Sequence, residues 1–158
     1  MRRWGAPSEG EGYNRSKMTI DIDRCFETGT EEHTAMWKDL KRIAVHLTEL
    51  RDANIPVLCR PMHEFDGGWF WYGKGGGERF IRLWRSMFDY FVKERKLDNL
   101  IWVLCHCGTP RADRNPGKAF YDLAGPDTYG RGIQAALYKT TQSIHGDMDA
   151  HPLSRLGS

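Results

Sequence analysis

The chain has 158 residues, of which 40% are hydrophobic and 28% are charged, and its formal net charge at pH 7 is +2. This length is enough for one domain with a substantial core, and the interspersed basic and acidic residues give no indication of a nucleic-acid-binding surface. No apolar run approaches the roughly 20 residues that a membrane span requires.

The N-terminal part, residues 1–30, is rich in glycine, serine and glutamate without sustained periodicity, which predicts an irregular region. Two arginines near the start are not followed by an apolar stretch, so the sequence predicts no signal peptide. Residues 30–54 predict the first helix, with Thr30 as its cap and Asn54 at its end. The apolar positions of this helix follow a helical period and predict a core-facing stripe: Met36, Leu40, Ile43, Leu47 and Leu50.

Three short runs, at residues 55–59, 100–104 and 121–125, predict strands. A long amphipathic helix is predicted over residues 78–96, between the first two of them. A strand, a long helix and a strand at this spacing are typical of a right-handed βαβ unit. We therefore expect an α/β fold with parallel strands and helices outside.

The most unusual stretch follows the first predicted strand, at residues 60–73. His63 and Glu64 lie where that strand should end, Gly67 and Gly68 turn the chain, and four aromatics follow at residues 69–72. Stacked aromatics beside a carboxylate suit a sugar ring, whose C–H faces pack on aromatic faces. The alternative is that the aromatics belong to the core and the glutamate is a solvated loop residue, and the residues alone leave both open.

Four cysteines stand at positions 25, 59, 105 and 107. Their spacing is not that of a disulfide framework, and Cys105-His106-Cys107 is too tight for a zinc knuckle. An alternative metal site would combine Cys59, His63, Cys105 and Cys107 at two neighbouring strand ends. We expect reduced thiols and no metal, since free cysteine in an apolar run behaves as a small hydrophobe.

Residues 60–73 resemble the signature of glycoside hydrolase family 26, the β-mannanase family. Residues 80–84 and 99–103 resemble the family as well. The resemblance implies that Glu64 is the catalytic acid/base, with His63 as its neighbour. It also matches Trp69 to the tryptophan of the substrate cleft, and it matches the segment around Trp4 to a loop of the mannanases. From the stacking argument we expect Trp71 and Tyr72 to bind substrate too, and we add Trp4 to this set.

The same resemblance places two further site residues after the third predicted strand. It assigns Tyr129 to positioning the nucleophile and Asp127 to supporting the site, although residues 127–130 read equally well as a plain turn. The chain departs from the family at Arg114 and Asn115, where aromatics are usual, and this departure would weaken one wall of the sugar cleft.

A retaining glycosidase needs two carboxylates about 5–5.5 Å apart, one as acid/base and one as nucleophile. The position that resembles the family's nucleophile carries Arg155, and arginine cannot form a glycosyl ester. We therefore expect no nucleophile in this chain. A complete (β/α)8 barrel needs about 250 residues, so we expect a single incomplete catalytic domain over residues 1–158, with three to four parallel strands and its best-matched core at residues 55–130.

The expected function is retaining hydrolysis of β-1,4-mannan without a cofactor, weak or lost in the isolated chain. Xylan and β-glucan remain alternative substrates, since relatives of the family share the scaffold. Two alternative interpretations are a non-catalytic carbohydrate binder and a gene fragment without function. The expected partner is a polysaccharide, with no nucleic acid or membrane, and exposed sheet edges would favour self-association. Members of the family are commonly secreted, but the sequence leaves the location undetermined.

Overall fold

The structure is a computed structural model that describes residues 16–107 and 111–127. After a short 3-10 helix at Asp23–Phe26, helix α1 spans Glu31–Asp52. Its predicted cap is confirmed, because Thr30 Oγ1 accepts a hydrogen bond from the His33 backbone N–H at 3.1 Å. The predicted end is confirmed too: Asn54 has a φ of 56°, and the next N–H, that of Ile55, returns to the Leu50 carbonyl at 2.9 Å.

Within residues 16–107 and 111–127, three parallel strands form a sheet in the order β1–β2–β3. They span Val57–Cys59 (β1), Leu100–His106 (β2) and Leu123–Pro126 (β3). Strand β1 pairs with the first part of β2, whereas β3 pairs with its last part, from Val103 to His106. Strand β2 extends to His106, two residues beyond its predicted end at residue 104. It does so because β3 pairs with the part of β2 that β1 does not reach. Strand β3 begins later than predicted, since Asp122 instead accepts a side-chain hydrogen bond from the Trp102 backbone N–H at 2.7 Å.

The connection between β1 and β2 contains a short helix α2, Trp71–Lys74, and a longer helix α3, Gly77–Phe88. The predicted helix over 78–96 changes character after Phe88, where a π-helical segment covers Asp89–Glu94. There the Arg95 N–H reaches back five residues to the Tyr90 carbonyl at 2.9 Å. Tyr90 and Phe91 are buried in this segment.

Helix α3 covers one face of the sheet with aromatic side chains. The rings of Trp84 and Trp102 meet edge to face with centroids 5.7 Å apart, and both are fully buried. The opposite face is largely uncovered among the described residues: Leu58 is 64% exposed, Leu123 50% and Ile101 37%. In a parallel sheet, both faces are normally covered. This inner face, as we call the side carrying Leu58, Ile101 and Leu123, is therefore unusual for an isolated α/β unit.

The α/β class and the parallel βαβ arrangement predicted from the sequence are confirmed by these elements. Within the described part of the chain, none of the helices combines the length and apolar character needed to cross a bilayer.

Candidate active site

The carboxyl ends of the three strands meet at one edge of the sheet. We call this edge the rim: it comprises residues 60–73 after β1, Cys107 after β2 and Asp127 after β3. Barrel enzymes build their sites from such strand ends. Six of the residues predicted for the site lie at the rim, and Glu64 is hydrogen-bonded to Trp69; the six are His63, Glu64, Trp69, Trp71, Tyr72 and Asp127.

Glu64 is held at the rim through its backbone. Its N–H donates to the Cys105 carbonyl at 2.7 Å, which attaches the loop after β1 to the end of β2. Its φ is 54°, in the left-handed region that residues with a Cβ rarely adopt. Such conformations persist only where the surrounding structure holds them, and they cluster at functional sites. The backbone at Glu64 is therefore consistent with a functional position.

Trp69 stands beside the Glu64 carboxylate, and its indole Nε1–H donates to Oε2 at 3.2 Å. The ring is 39% exposed, in contrast to most aromatics of this chain. It lies over the backbone of Gly67, where an added Cβ would come within 2.4 Å of Trp69 Cζ2 and Cη2. Gly68 has a φ of 76°, which completes the turn. The two glycines thus allow an exposed aromatic ring to lie beside a carboxylate.

The expected substrate contacts of Trp71 and Tyr72 need correction. Both side chains belong to the hydrophobic core, with exposures of 3% and 5%. The Tyr72 hydroxyl donates to the His63 carbonyl at 2.8 Å, so it fixes the loop that carries Glu64. Helix α2 carries both side chains into the core, which the run of four aromatic residues does not reveal. Only Trp69 of this run presents a substantial face to solvent.

His63 precedes Glu64 in the rim loop and packs against a core aromatic. Its ring packs against Phe70 with centroids 5.0 Å apart, and it contributes to a groove of about 700 Å³ along the open edge of β1. Neither Glu64 nor Trp69 lines this groove, which runs between α1 and β1. This groove is therefore distinct from the surface that Trp69 and Glu64 share.

Asp127 follows β3 directly, and its backbone N–H donates to the His106 carbonyl at 2.6 Å. Its carboxylate accepts a hydrogen bond from Arg60 Nη1, with 2.5 Å between Nη1 and Oδ1. Burial is the largest single influence on the Arg60 guanidinium and lowers its pKa, but hydrogen bonds to Cys105 and Asp127 outweigh it and raise the pKa. Sequence reasoning missed Arg60, although its place directly before the predicted site loop was visible.

Two further polar side chains stabilise the rim without having been predicted. Asp66 accepts hydrogen bonds from the Cys107 backbone N–H at 2.8 Å and from its thiol at 3.3 Å. Arg114 is buried and donates to the carbonyls of Phe65 and Gly73 at 2.6 and 2.8 Å. Arg114 thus has a structural role beneath the site loop. The sequence analysis noted only that Arg114 stands where the family usually has an aromatic residue, and this did not suggest a structural role.

All four cysteines are free thiols. Burial raises the pKa of Cys59 to about 12, and burial with the neighbouring Asp66 raises that of Cys107 to about 12. Across residues 16–107 and 111–127, no three His, Cys, Asp or Glu side chains are grouped to hold a metal ion, so the alternative site of Cys59, His63, Cys105 and Cys107 is not assembled. The predicted Trp4, Tyr129 and Arg155 lie outside the described residues.

Comparison with known proteins places this geometry in a family. Residues 3–151 match the family model described as glycosyl hydrolase family 26. A mannan endo-1,4-beta-mannosidase of Thermothelomyces thermophilus is 38% identical over 77% of this chain and 25% of its own length. A second, from Caldalkalibacillus mannanilyticus, is 40% identical over 76% of this chain and 25% of its own length.

Solved structures agree with the sequence relatives. A β-mannanase from a symbiotic protist of the termite Reticulitermes speratus, complexed with gluco-manno-oligosaccharide, has a TM-score of 0.73 and 40% identity. The alignment covers 89% of this chain and 43% of that chain. The family 26 protein GH26A from Muricauda aligns with a TM-score of 0.77 and 28% identity, over 89% of this chain and 51% of its own.

These neighbours are (β/α)8 barrels, so the predicted partial barrel is confirmed. This chain spans about a quarter of the length of the curated relatives and about half of the solved ones or less. The chain belongs to glycosyl hydrolase family 26.

Proposed function

We propose that the chain carries the acid/base half of a retaining site for β-1,4-mannan, with Glu64 as the acid/base. The observation that carries the proposal is the contact between the Glu64 carboxylate and the exposed Trp69 indole at the strand-end rim. Glu64 would protonate the leaving oxygen and later take a proton from the attacking water. The substrate assignment follows the matched relatives, which are named as mannan endo-1,4-beta-mannosidases.

We further propose that this chain alone hydrolyses mannan weakly or not at all. Asp66 and Asp127 are the carboxylates that would have to replace a missing nucleophile. Asp66 accepts hydrogen bonds from Cys107, and Asp127 accepts one from the Arg60 guanidinium. An aspartate held in this way is a poor nucleophile, since attack on a sugar would break these bonds. Without such a nucleophile, no second carboxylate stabilises the positive charge of the transition state or forms the covalent intermediate.

The test has two arms that separate the role of Glu64 from the weakness of the chain. The first compares reducing-sugar release from soluble mannan by the chain and by Glu64→Gln, and we expect equal rates near zero. The second places residues 16–127 within a full-length relative and repeats the substitution, where we expect a fall of about 10²–10⁴-fold. An active chimera that is insensitive to Glu64→Gln would refute the acid/base role. Robust turnover by the chain alone would refute its weakness.

A non-catalytic carbohydrate binder is the second candidate, favoured by the half-exposed Trp69 ring held over Gly67. It predicts saturable binding of manno-oligosaccharides without turnover, measured by calorimetry on the same protein. Trp69→Ala should weaken that binding about tenfold or more, because a loss of about 1.4 kcal/mol in contact free energy is a factor of ten. Binding that survives this substitution unchanged would contradict the role of Trp69.

We also propose that the isolated chain associates with itself through the inner face and the open edge of β1. Among the described residues β1 and β3 are the edges of the sheet, and an unprotected edge is a template for pairing. The exposed apolar side chains on the same face add a hydrophobic contribution. The partner is a second copy, which presents the same face.

A further inference from the structure

Arg60 makes one contact network that links the ends of all three strands. It directly follows β1, and its Nη1 lies 3.3 Å from Cys105 Sγ in β2 and 2.5 Å from Asp127 Oδ1 after β3. The guanidinium therefore crosses the end of the central strand to reach the far one. No other described ion pair joins two strand ends.

The loop that begins at Arg60 reaches Glu64, and Glu64 returns to the same central strand. The Glu64 N–H donates to the Cys105 carbonyl, while the Arg60 guanidinium contacts the Cys105 thiol. Both ends of the loop are thus anchored on Cys105. The left-handed φ of Glu64 costs about 1–2 kcal/mol for a residue with a Cβ, so the loop needs such anchors to keep this conformation.

The energy of the ion pair alone does not explain this arrangement. The side chains of Arg60 and Asp127 are 39% and 19% exposed, and pairs with this access to solvent contribute at most about 1 kcal/mol. The pair instead fixes the orientation of the Arg60 side chain, because a guanidinium makes its hydrogen bonds in a fixed plane. A fixed Arg60 in turn fixes where the loop leaves β1, and hence where the Glu64 carboxylate meets Trp69.

We propose that Arg60 is a positioning residue for Glu64: by bonding Cys105 and Asp127 it orients the loop that presents the Glu64 carboxylate to Trp69. This inference deepens the proposed function and rests on it only for the acid/base role of Glu64. It also gives Asp127 a specific task, that of holding the guanidinium in place.

The experiment reads the geometry directly and needs no enzymatic activity. The ¹H–¹⁵N resonance of the Trp69 indole, assigned with Trp69→Phe, reports its bond to Glu64, and Glu64→Ala gives its position without that bond. Arg60→Met should move the resonance at least half of the way to that position. Arg60→Lys keeps the charge but lacks the planar guanidinium, so it should leave most of this shift in place.

Arg51→Met is the matched control. Arg51 Nη1 donates to the carbonyls of Arg95 and Lys96, close to where α1 leads into β1, so its loss is structural and remote from the rim. Its substitution should leave the Trp69 resonance in place. An unmoved resonance in folded Arg60→Met, or an equal shift in Arg51→Met, would overturn the proposal.

Asp127→Asn provides the same test should Arg60→Met fail to fold. It removes the charged acceptor but keeps Arg60 and its contact with Cys105, so the Trp69 resonance should shift in the same direction by a smaller amount. A resonance that stays at its original position in this folded variant would equally refute the proposal. Absence of mannanase activity would leave these results unaffected, so the two proposals fail separately.

Discussion

At the scale of single residues, the backbone of Glu64 is the unusual feature of the site. A φ of 54° is unfavourable for any residue with a Cβ but costs glycine nothing. The carboxylate therefore occupies a position where glycine would be the more stable choice. A cost in stability at a position that faces an exposed aromatic is the pattern expected of a site selected for chemistry rather than for folding.

Substitution of Glu64 by glycine and by alanine tests this backbone strain. Both changes remove the carboxylate, so their difference isolates the backbone, and Glu64→Gly should be more stable than Glu64→Ala by about 1 kcal/mol. The free energy of unfolding in urea measures the difference. Glu49, exposed within α1, is the control, since there the order should reverse by about 1 kcal/mol. A more stable alanine variant at position 64 would contradict the left-handed conformation.

At the scale of the elements, sequence patterns predicted what depends on periodicity and local chemistry. The cap at Thr30, the end of α1 at Asn54 and the parallel βαβ unit are set by short-range signals, and the structure confirms them. The placement of Glu64 at the end of β1 follows from the strand itself. Its role in catalysis is carried by family resemblance and stays a prediction.

What the sequence did not predict depends on contacts between distant segments. The burial of Trp71 and Tyr72 follows from helix α2, whose few residues carry no periodic signal. The bond from Arg60 to Asp127 joins residues 67 positions apart, and the π-helical segment arises where Tyr90 and Phe91 pack inward. Pairwise geometry of this kind is absent from a linear pattern of residue types.

The Cys59 thiol in strand β1 predicts how the free energy of unfolding depends on pH. Burial raises the pKa of Cys59 to about 12, above the ordinary value of 9.0, so the unfolded chain loses this proton at lower pH than the folded chain does. The contribution of the neutral thiol to stability is therefore complete below pH 9 and is lost as the pH rises toward 12. Unfolding in urea at pH 8 and at pH 10.5 should show a steeper loss in the wild type than in Cys59→Ala.

The expected difference between the two proteins is about 1.4 kcal/mol per pH unit at most, the value for one proton. The cavity left by alanine costs the same at both pH values, so it cancels from the comparison. Parallel pH dependence in the two proteins would show that Cys59 ionises in the folded chain as readily as in the unfolded one.

At the scale of the whole molecule, one face of the sheet is covered by helix α3, whereas the other face is largely uncovered among the described residues. Helix α3 buries Trp84 and Trp102 on the outer face, while Leu58, Ile101 and Leu123 remain exposed on the inner face. In the barrels of the family's solved members, the inner faces of the strands pack on one another. In this chain alone the described residues leave that face uncovered, and the groove along β1 continues it.

This open face predicts the behaviour of the isolated chain in solution. Full burial of a leucine side chain contributes about 1.5–3 kcal/mol, and a symmetric contact buries each residue of the face twice. Sedimentation should therefore show an average mass that rises above the 18.2 kDa of one chain as concentration increases. Leu58→Lys should shift the protein toward the monomer, since it places a charge on the inner face next to the open edge.

Val45→Lys is the matched control, because Val45 is 52% exposed on α1 and receives the same change in charge away from the sheet. Circular dichroism should show both variants folded, since neither side chain is buried. A wild type that stays monomeric at all concentrations would contradict self-association. Equal dissociation in the two variants would mean that added charge, rather than loss of the Leu58 contact, separates the copies, and the inner face would then not be the interface.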